Sequence, residues 1–181
     1  MWIVLFILGL LFGWAIAVYN QMVKKRFLVR EAFSGIDVQL KRRHELIPRL
    51  VEVTKGYMRH EQKILEEVTA MRARSVSAQA VNEKGSIESS ISQGIKSVFA
   101  VAENYPDLKA DSTFLQLHQS LVEIEDQLQM ARRYYNGAVR DLNTVIQSFP
   151  ALFLAGPCGF MPEEFFEIEY VTERKSPEIK F

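Results

Sequence analysis

Residues 2–18, WIVLFILGLLFGWAIAV, carry no charge and run without a break signal into residues 19–56, YNQMVKKRFLVREAFSGIDVQLKRRHELIPRLVEVTKG. The first stretch is uniformly apolar and the second is amphipathic. At about 1.5 Å per helical residue the apolar run reaches about 26 Å, near the short limit for crossing a hydrocarbon core. Trp2, Trp14 and Tyr19 lie towards its two ends, where amphipathic aromatic rings settle at the headgroup level. Nothing after Tyr19 stops a helix. The pattern therefore predicts one continuous helix, rooted in a bilayer at one end and in a soluble domain at the other.

Beyond the apolar run the same helix carries a three-four repeat: Met22, Arg26, Val29, Phe33, Ile36, Leu40, Arg43, Ile47, Leu50, Thr54 and Tyr57. A partial second stripe, Leu28, Ala32, Val38, Leu46 and Val53, widens the buried face beyond a two-stranded seam. Pro48 deletes one intrahelical hydrogen bond and crowds the carbonyl of His44, so a kink is expected there. Lys55-Gly56 reads as a helix end with glycine in the left-handed position. A second helix is expected from about residue 58 to 79, a loop around 82–86, and a third helix to about 104, with Ile87, Ile91, Ile95, Val98 and Ala102 in phase. Tyr105-Pro106-Asp107 breaks it.

Residues 111–149 then repeat Phe114, Leu117, Leu121, Ile124, Leu128, Ala131, Tyr135, Ala138, Leu142, Val145 and Phe149 by threes and fours, a heptad seam of coiled-coil type. Asp111, Ser112 or Thr113 can cap its start, and Pro150 ends it. At 1.5 Å per residue this helix matches the soluble reach of the first at about 57 Å, and the two between make a hairpin of about half that height. The expected fold is all-α, an N-terminal transmembrane helix continuous with an antiparallel four-helix bundle. It divides into an anchor (1–20), the bundle (21–149), an apolar tail packing at the bundle base (150–170) and a loose C-terminus (171–181). Leu152, Phe153, Leu154, Phe160, Phe165 and Phe166 make that tail too apolar to stand free; the bundle base, the headgroup layer and a neighbouring subunit are the candidate covers.

Formal charge sums to zero, yet residues 1–60 hold ten basic side chains against Glu31, Asp37, Glu45 and Glu52. A basic helix folded on acidic ones satisfies this without nucleic acid, so no nucleic-acid partner is expected. Lys24, Lys25, Arg26 and Arg30 flank the apolar run and can meet anionic lipid. By the positive-inside rule they place the N-terminus outside and the bundle in the cytoplasm, across the inner membrane; a periplasmic bundle is the alternative. The run lacks a basic leader and a small-x-small cleavage site, and no cysteine follows it, so neither a cleaved signal nor lipoprotein processing is expected. Cys158 is the single cysteine, which excludes an intrachain disulfide.

Candidate chemistry is thin. His60-Glu61 lacks the second histidine four residues on, where Ile64 stands, and His44 and His118 have no ligand spacing to Cys158. Neither a glycine-rich phosphate loop nor a Gly-x-Ser-x-Gly elbow occurs. Lys41-Arg42-Arg43 points around the helix and forms no flat patch. Arg43 and Asp37, near the seam, are expected as polar core members paired with Glu123, Glu125 or Asp126. No catalytic residue, metal site or cofactor is expected.

Several stretches resemble the LemA family: Tyr19-Asn20, Asp37-Val-Gln-Leu-Lys-Arg-Arg-His-Glu-Leu-Ile-Pro-Arg-Leu-Val-Glu52, Lys55-Gly-Tyr-Met-Arg-His-Glu61, Tyr105-Pro-Asp-Leu-Lys-Ala110, Ala131-Arg-Arg-Tyr-Tyr-Asn136, Phe149-Pro150 and Gly159-Phe160 with Phe165-Phe166. The resemblance implies a bacterial, membrane-anchored antiparallel bundle without established catalytic residues, acting as an accessory or scaffold protein, with relatives in magnetosomes. Some members carry a lipoprotein cysteine that this chain lacks. The expected function is a membrane-anchored, non-enzymatic scaffold, a homo-oligomer partnered by the lipid bilayer. The alternative is an accessory regulator of another membrane protein, such as a protease or sensor kinase.

Overall fold

The computed structural model describes residues 1–58 and 60–166, all helix and connecting turns with no strand among them. The helices are α1 (Trp2–Lys55), α2 (Gln62–Ser77), α3 (Val81–Ala102), α4 (Pro106–Ala110), α5 (Ser112–Gln147) and α6 (Leu152–Ala155). The expected C-terminus (171–181) and the end of the apolar tail (167–170) lie outside the described residues.

The chain divides into two compact units, one of Met1–Leu40 with Asp126–Phe165, the other with Lys41–Glu125 as its body. In the first, α1 and α5 pair antiparallel: Lys25 Nζ meets Asp141 Oδ2 at 2.8 Å, and the Phe33 and Tyr135 rings meet edge-on at 5.6 Å. Met22, Val29, Ala32 and Ile36 are buried on α1, and Tyr135, Val139, Leu142 and Ile146 on α5.

In the second unit α2 and α3 run antiparallel, with Ser75 at Glu88 and Val68 at Gly94. A methyl group on Gly94 would lie 2.7 Å from Val68 Cγ2, so glycine is what lets these helices approach. The α3–α5 pair is antiparallel too, with Ser92 at Glu125 and Phe99 against His118 and Phe114. Ile47, Leu50, Val68, Ile91, Val98 and Leu121 belong to its core.

Helix ends differ from expectation in instructive ways. Gly56 does not turn left-handed; the only positive-φ glycine among the described residues is Gly159. Instead the amide of Met58 donates to Thr54 O at 2.8 Å, the turn stays right-handed, and Met58 rather than Tyr57 is buried. Accordingly α2 starts at Gln62, later than expected. The loop foreseen at 82–86 falls at 78–80, because Gly85, Glu88, Ser89 and Ser92 are buried and continue α3 despite their low apolarity. Pro106 takes the first position of α4, where its missing N–H costs nothing. Asp111 caps α5, its Oδ1 accepting from the amides of Thr113 (2.8 Å) and Phe114 (3.0 Å).

Candidate functional site

A proline inside a helix orphans the carbonyl four residues earlier, which for Pro48 is His44 O. Helix α1 nonetheless continues through it, because the Arg72 Nε–H of α2 donates to that carbonyl at 2.7 Å. This contact opens the most polar region of the Lys41–Glu125 unit. Arg43, one residue before, is fully buried. Its Nη1 donates to Glu125 Oε2 and Ser92 Oγ, each at 2.8 Å, and its Nη2 to the Glu88 carboxylate and, at 3.2 Å, to Glu88 O.

Glu88 is itself fully buried, and both its oxygens are engaged: Oε2 by Arg43, Oε1 by the Ser75 hydroxyl and by His44 Nε2 at 2.8 Å. Since an ionised carboxylate only accepts, His44 Nε2 carries the donated proton. Burial pushes the Glu88 carboxyl up, but the His44 hydrogen bond, the Arg43 charge and the Ser75 hydroxyl outweigh it and hold it at about 2. Ser92 Oγ, which accepts from Arg43, donates to Glu125 Oε2 at 2.9 Å. Helices α1, α2, α3 and α5 thus each contribute to one cluster. Its carboxylate acceptors are committed to internal donors, which ties the four helices to one register.

Of the polar core expected from sequence, Arg43 is buried with Glu125 as a partner, whereas Asp37 is exposed because its neighbour Ile36 takes the seam position. Glu88, Ser75 and Ser92 went unforeseen. Arg132, on α5, is a further buried charge. His60 and Cys158 are exposed, and Glu61 accepts from the Tyr105 hydroxyl at 2.6 Å, which pushes that phenol up. No group of three or more His, Cys, Asp or Glu placed to hold a metal occurs among the described residues.

The Met1–Leu40/Asp126–Phe165 unit carries the other notable surface. Helix α1 is, among the described residues, the one helix long and apolar enough to cross a membrane, and from Trp2 to Tyr19 it is almost wholly exposed, Trp14 included. The basic side chains that follow are not equivalent. Lys24 and Arg30 are exposed, with the Arg30 guanidinium 5.9 Å from the Phe27 ring; Lys25 pairs with Asp141 and lowers its carboxyl; Arg26 lies 4.5 Å over the Phe160 ring.

The expected apolar tail splits into buried and exposed parts. Gly159 (φ +71°) ends the α6 turn: its amide donates to Gly156 O (3.0 Å) and that of Phe160 to Ala155 O (2.9 Å), the paired bonds of a Schellman cap. The cap delivers Phe160 to α1, where its buried ring meets Tyr19 edge-on at 5.9 Å. Chain after it returns along α5: Asn143 exchanges two 2.9 Å bonds with the backbone of Glu163, and the Tyr135 hydroxyl donates to Glu164 O. Burial, with the charges of Glu163 and Glu164, pushes that phenol up to about 12. Phe166 is buried and Leu154 half-buried, while Leu152, Phe153 and Phe165 are exposed, as is Phe149, whose ring meets Phe153 edge-on at 6.0 Å.

The chain is similar to the magnetosome protein MamQ 2 of Paramagnetospirillum magneticum, 27% identical with 82% of this chain and 64% of that protein covered. Magnetosome protein MamQ of Magnetospirillum gryphiswaldense is 26% identical over the same shares. Protein LemA of Metamycoplasma hominis is 26% identical, with 72% of this chain and 60% of the relative covered. The chain thus spans less than two thirds of the length of these relatives. The sequence model of the LemA family matches residues 32–181, which takes in the buried cluster and the tail, and the chain belongs to the LemA family.

Proposed function

We propose that this protein is a membrane-anchored, non-enzymatic helical scaffold that assembles with copies of itself. The observation that carries the reading is the uncovered Trp2–Tyr19 surface of α1: in water it would expose an apolar cylinder, and a bilayer is the medium that covers one. Its helix continues into the antiparallel pairings described above, which fit a four-helix bundle carried on a single span. Similarity to proteins named for the magnetosome is in keeping with a membrane setting. A structural assignment for the polar cluster supports a role without catalysis, because both Glu88 carboxylate oxygens and both Arg43 Nη groups are engaged by one another and by their neighbours. Exposed Phe27 and Val38 on α1 offer apolar surface to a second copy.

Mild-detergent extraction followed by light scattering tests the assembly. A protein mass at a multiple of the 20.8 kDa chain supports it, and a monodisperse monomer at all concentrations overturns it. Alkaline carbonate washing tests the anchor: the full chain stays with the membrane, and release into the wash refutes a spanning α1.

A further inference from the structure

The C-terminal half of α5 and the segment after it end beside the Tyr19 end of the apolar run. Lys25 is level with Asp141 and Phe33 with Tyr135, so at equal rise Gln147 falls level with Tyr19 to Gln21, and Phe149 passes beyond it. Phe160, locked by the Gly159 cap, fastens the following turn to Tyr19 and Arg26. What the turn leaves uncovered is apolar: Phe149 is 81% exposed, Leu152 54%, Phe153 69% and Met161 78%, while Ala151 and Ala155 on the inner side are buried. No charged residue stands between Asp141 and Glu163.

We propose that Phe149, Leu152, Phe153 and Met161 form a second membrane contact, an apolar foot that seats in the headgroup–acyl boundary of the leaflet that α1 leaves at Tyr19. The inference rests on the reading of Trp2–Tyr19 as the spanning segment. Continuity selects lipid as the occupant: the foot adjoins the surface that lipid already covers, and aromatic and aliphatic side chains at that depth bury in the interfacial layer. Lys24, Lys25, Arg26 and Arg30 on the same end of α1 would meet anionic headgroups and offset the repulsion from Glu163 and Glu164. The contact would fix the tilt of α1, because a helix held at one span alone is free to lean and one held at a foot beside it is not.

The test uses the full chain in vesicles of phosphatidylcholine and phosphatidylglycerol, with Cys158→Ser as background and a single environment-sensitive fluorophore at Phe153→Cys. Met161→Cys gives a second site on the foot, Phe12→Cys reports the anchor, and Leu115→Cys, exposed on α5, reports water. Lipids nitroxide-labelled near the headgroup and, separately, midway along an acyl chain are the quenchers, the first for the foot and the second for Phe12. Blue-shifted emission quenched by the headgroup-labelled lipids at Phe153 and Met161, with Leu115 unquenched, supports the foot. Quenching at Phe12 but not at either foot site overturns the foot and leaves the anchor standing; no quenching at any site overturns both. Blue-shifted foot probes that resist lipid quenching and transfer energy between differently labelled copies would mean that a second protein copy covers the foot, which also overturns it.

Discussion

Glu88 is held at a protonation state that burial opposes, and the stability this stores is measurable. An unfolded glutamate titrates near 4.5 and the folded one at about 2, so the unfolded chain binds the extra proton between those values. Stability from this group is therefore complete above about pH 4.5 and is lost as pH falls towards 2, an amount on the order of 3 kcal/mol. Glu88→Gln should remove that acid slope and, by leaving Arg43 short of one buried counter-charge, cost about 3–5 kcal/mol at neutral pH. The half-exposed Lys25–Asp141 pair is screened by solvent and contributes far less. Unfolding by urea in detergent, followed by circular dichroism from pH 2 to 7, measures both; a Glu88→Gln variant of wild-type stability would show the cluster to be dispensable. Half of this cluster was legible in the sequence. Arg43 stands on the repeat of α1 and so had to be buried. Glu88 also stands on a repeat, 88-91-95-98-102, but Ile87 offered an apolar start to a similar series and hid it. Asp37 was misplaced by a single position, since on a helix one residue is a rotation of about 100°.

At the level of helices, α5 shows why a clean pattern can still mislead. Its buried positions are 114, 117, 121, 124, 128, 132, 135, 139, 142 and 146, with two steps of four in succession at Leu128–Arg132. A strict heptad would have kept Ala131, Ala138, Val145 and Phe149 inside. A straight helix drifts about 20° per heptad against that repeat, and the extra step corrects the drift without supercoiling. The drift exchanges Ala138 for Val139 and Val145 for Ile146, and leaves Phe149 outside. Pro48 offers a sharper test. Its sequence announced a lost hydrogen bond, but only tertiary structure could name the donor, Arg72. Arg72→Ala should cost about 1–3 kcal/mol by orphaning the His44 carbonyl. Pro48→Ala restores an amide donor in the helix, so in its presence the Arg72→Ala cost should shrink to less than half. A double-mutant cycle on thermal unfolding reads the coupling, and strictly additive effects would show that Arg72 does not serve that carbonyl.

For the molecule as a whole, a net charge of zero conceals a basic cluster beside the apolar run. Lys24, Lys25, Arg26 and Arg30 follow the apolar run within about three helical turns, close enough to act as a topogenic signal. Two of them have further work in the fold, Lys25 with Asp141 and Arg26 over Phe160, so only Lys24 and Arg30 can be changed without disturbing packed contacts with α5 and the tail. The positive-inside rule then predicts that α5 faces the cytoplasm. A cysteine at Leu115, in the Cys158→Ser background, should resist a membrane-impermeant maleimide in intact bacterial spheroplasts and react in inside-out vesicles. Replacing Lys24 and Arg30 with glutamine while adding lysines before Trp2 weakens the retained charge and opposes it from the other side. A fraction of chains should then invert, and the same cysteine should become reactive in intact spheroplasts. Labelling of the unmodified orientation from outside would place the helical units in the periplasm, and the basic residues would then serve the fold and the outer-leaflet headgroups rather than topology.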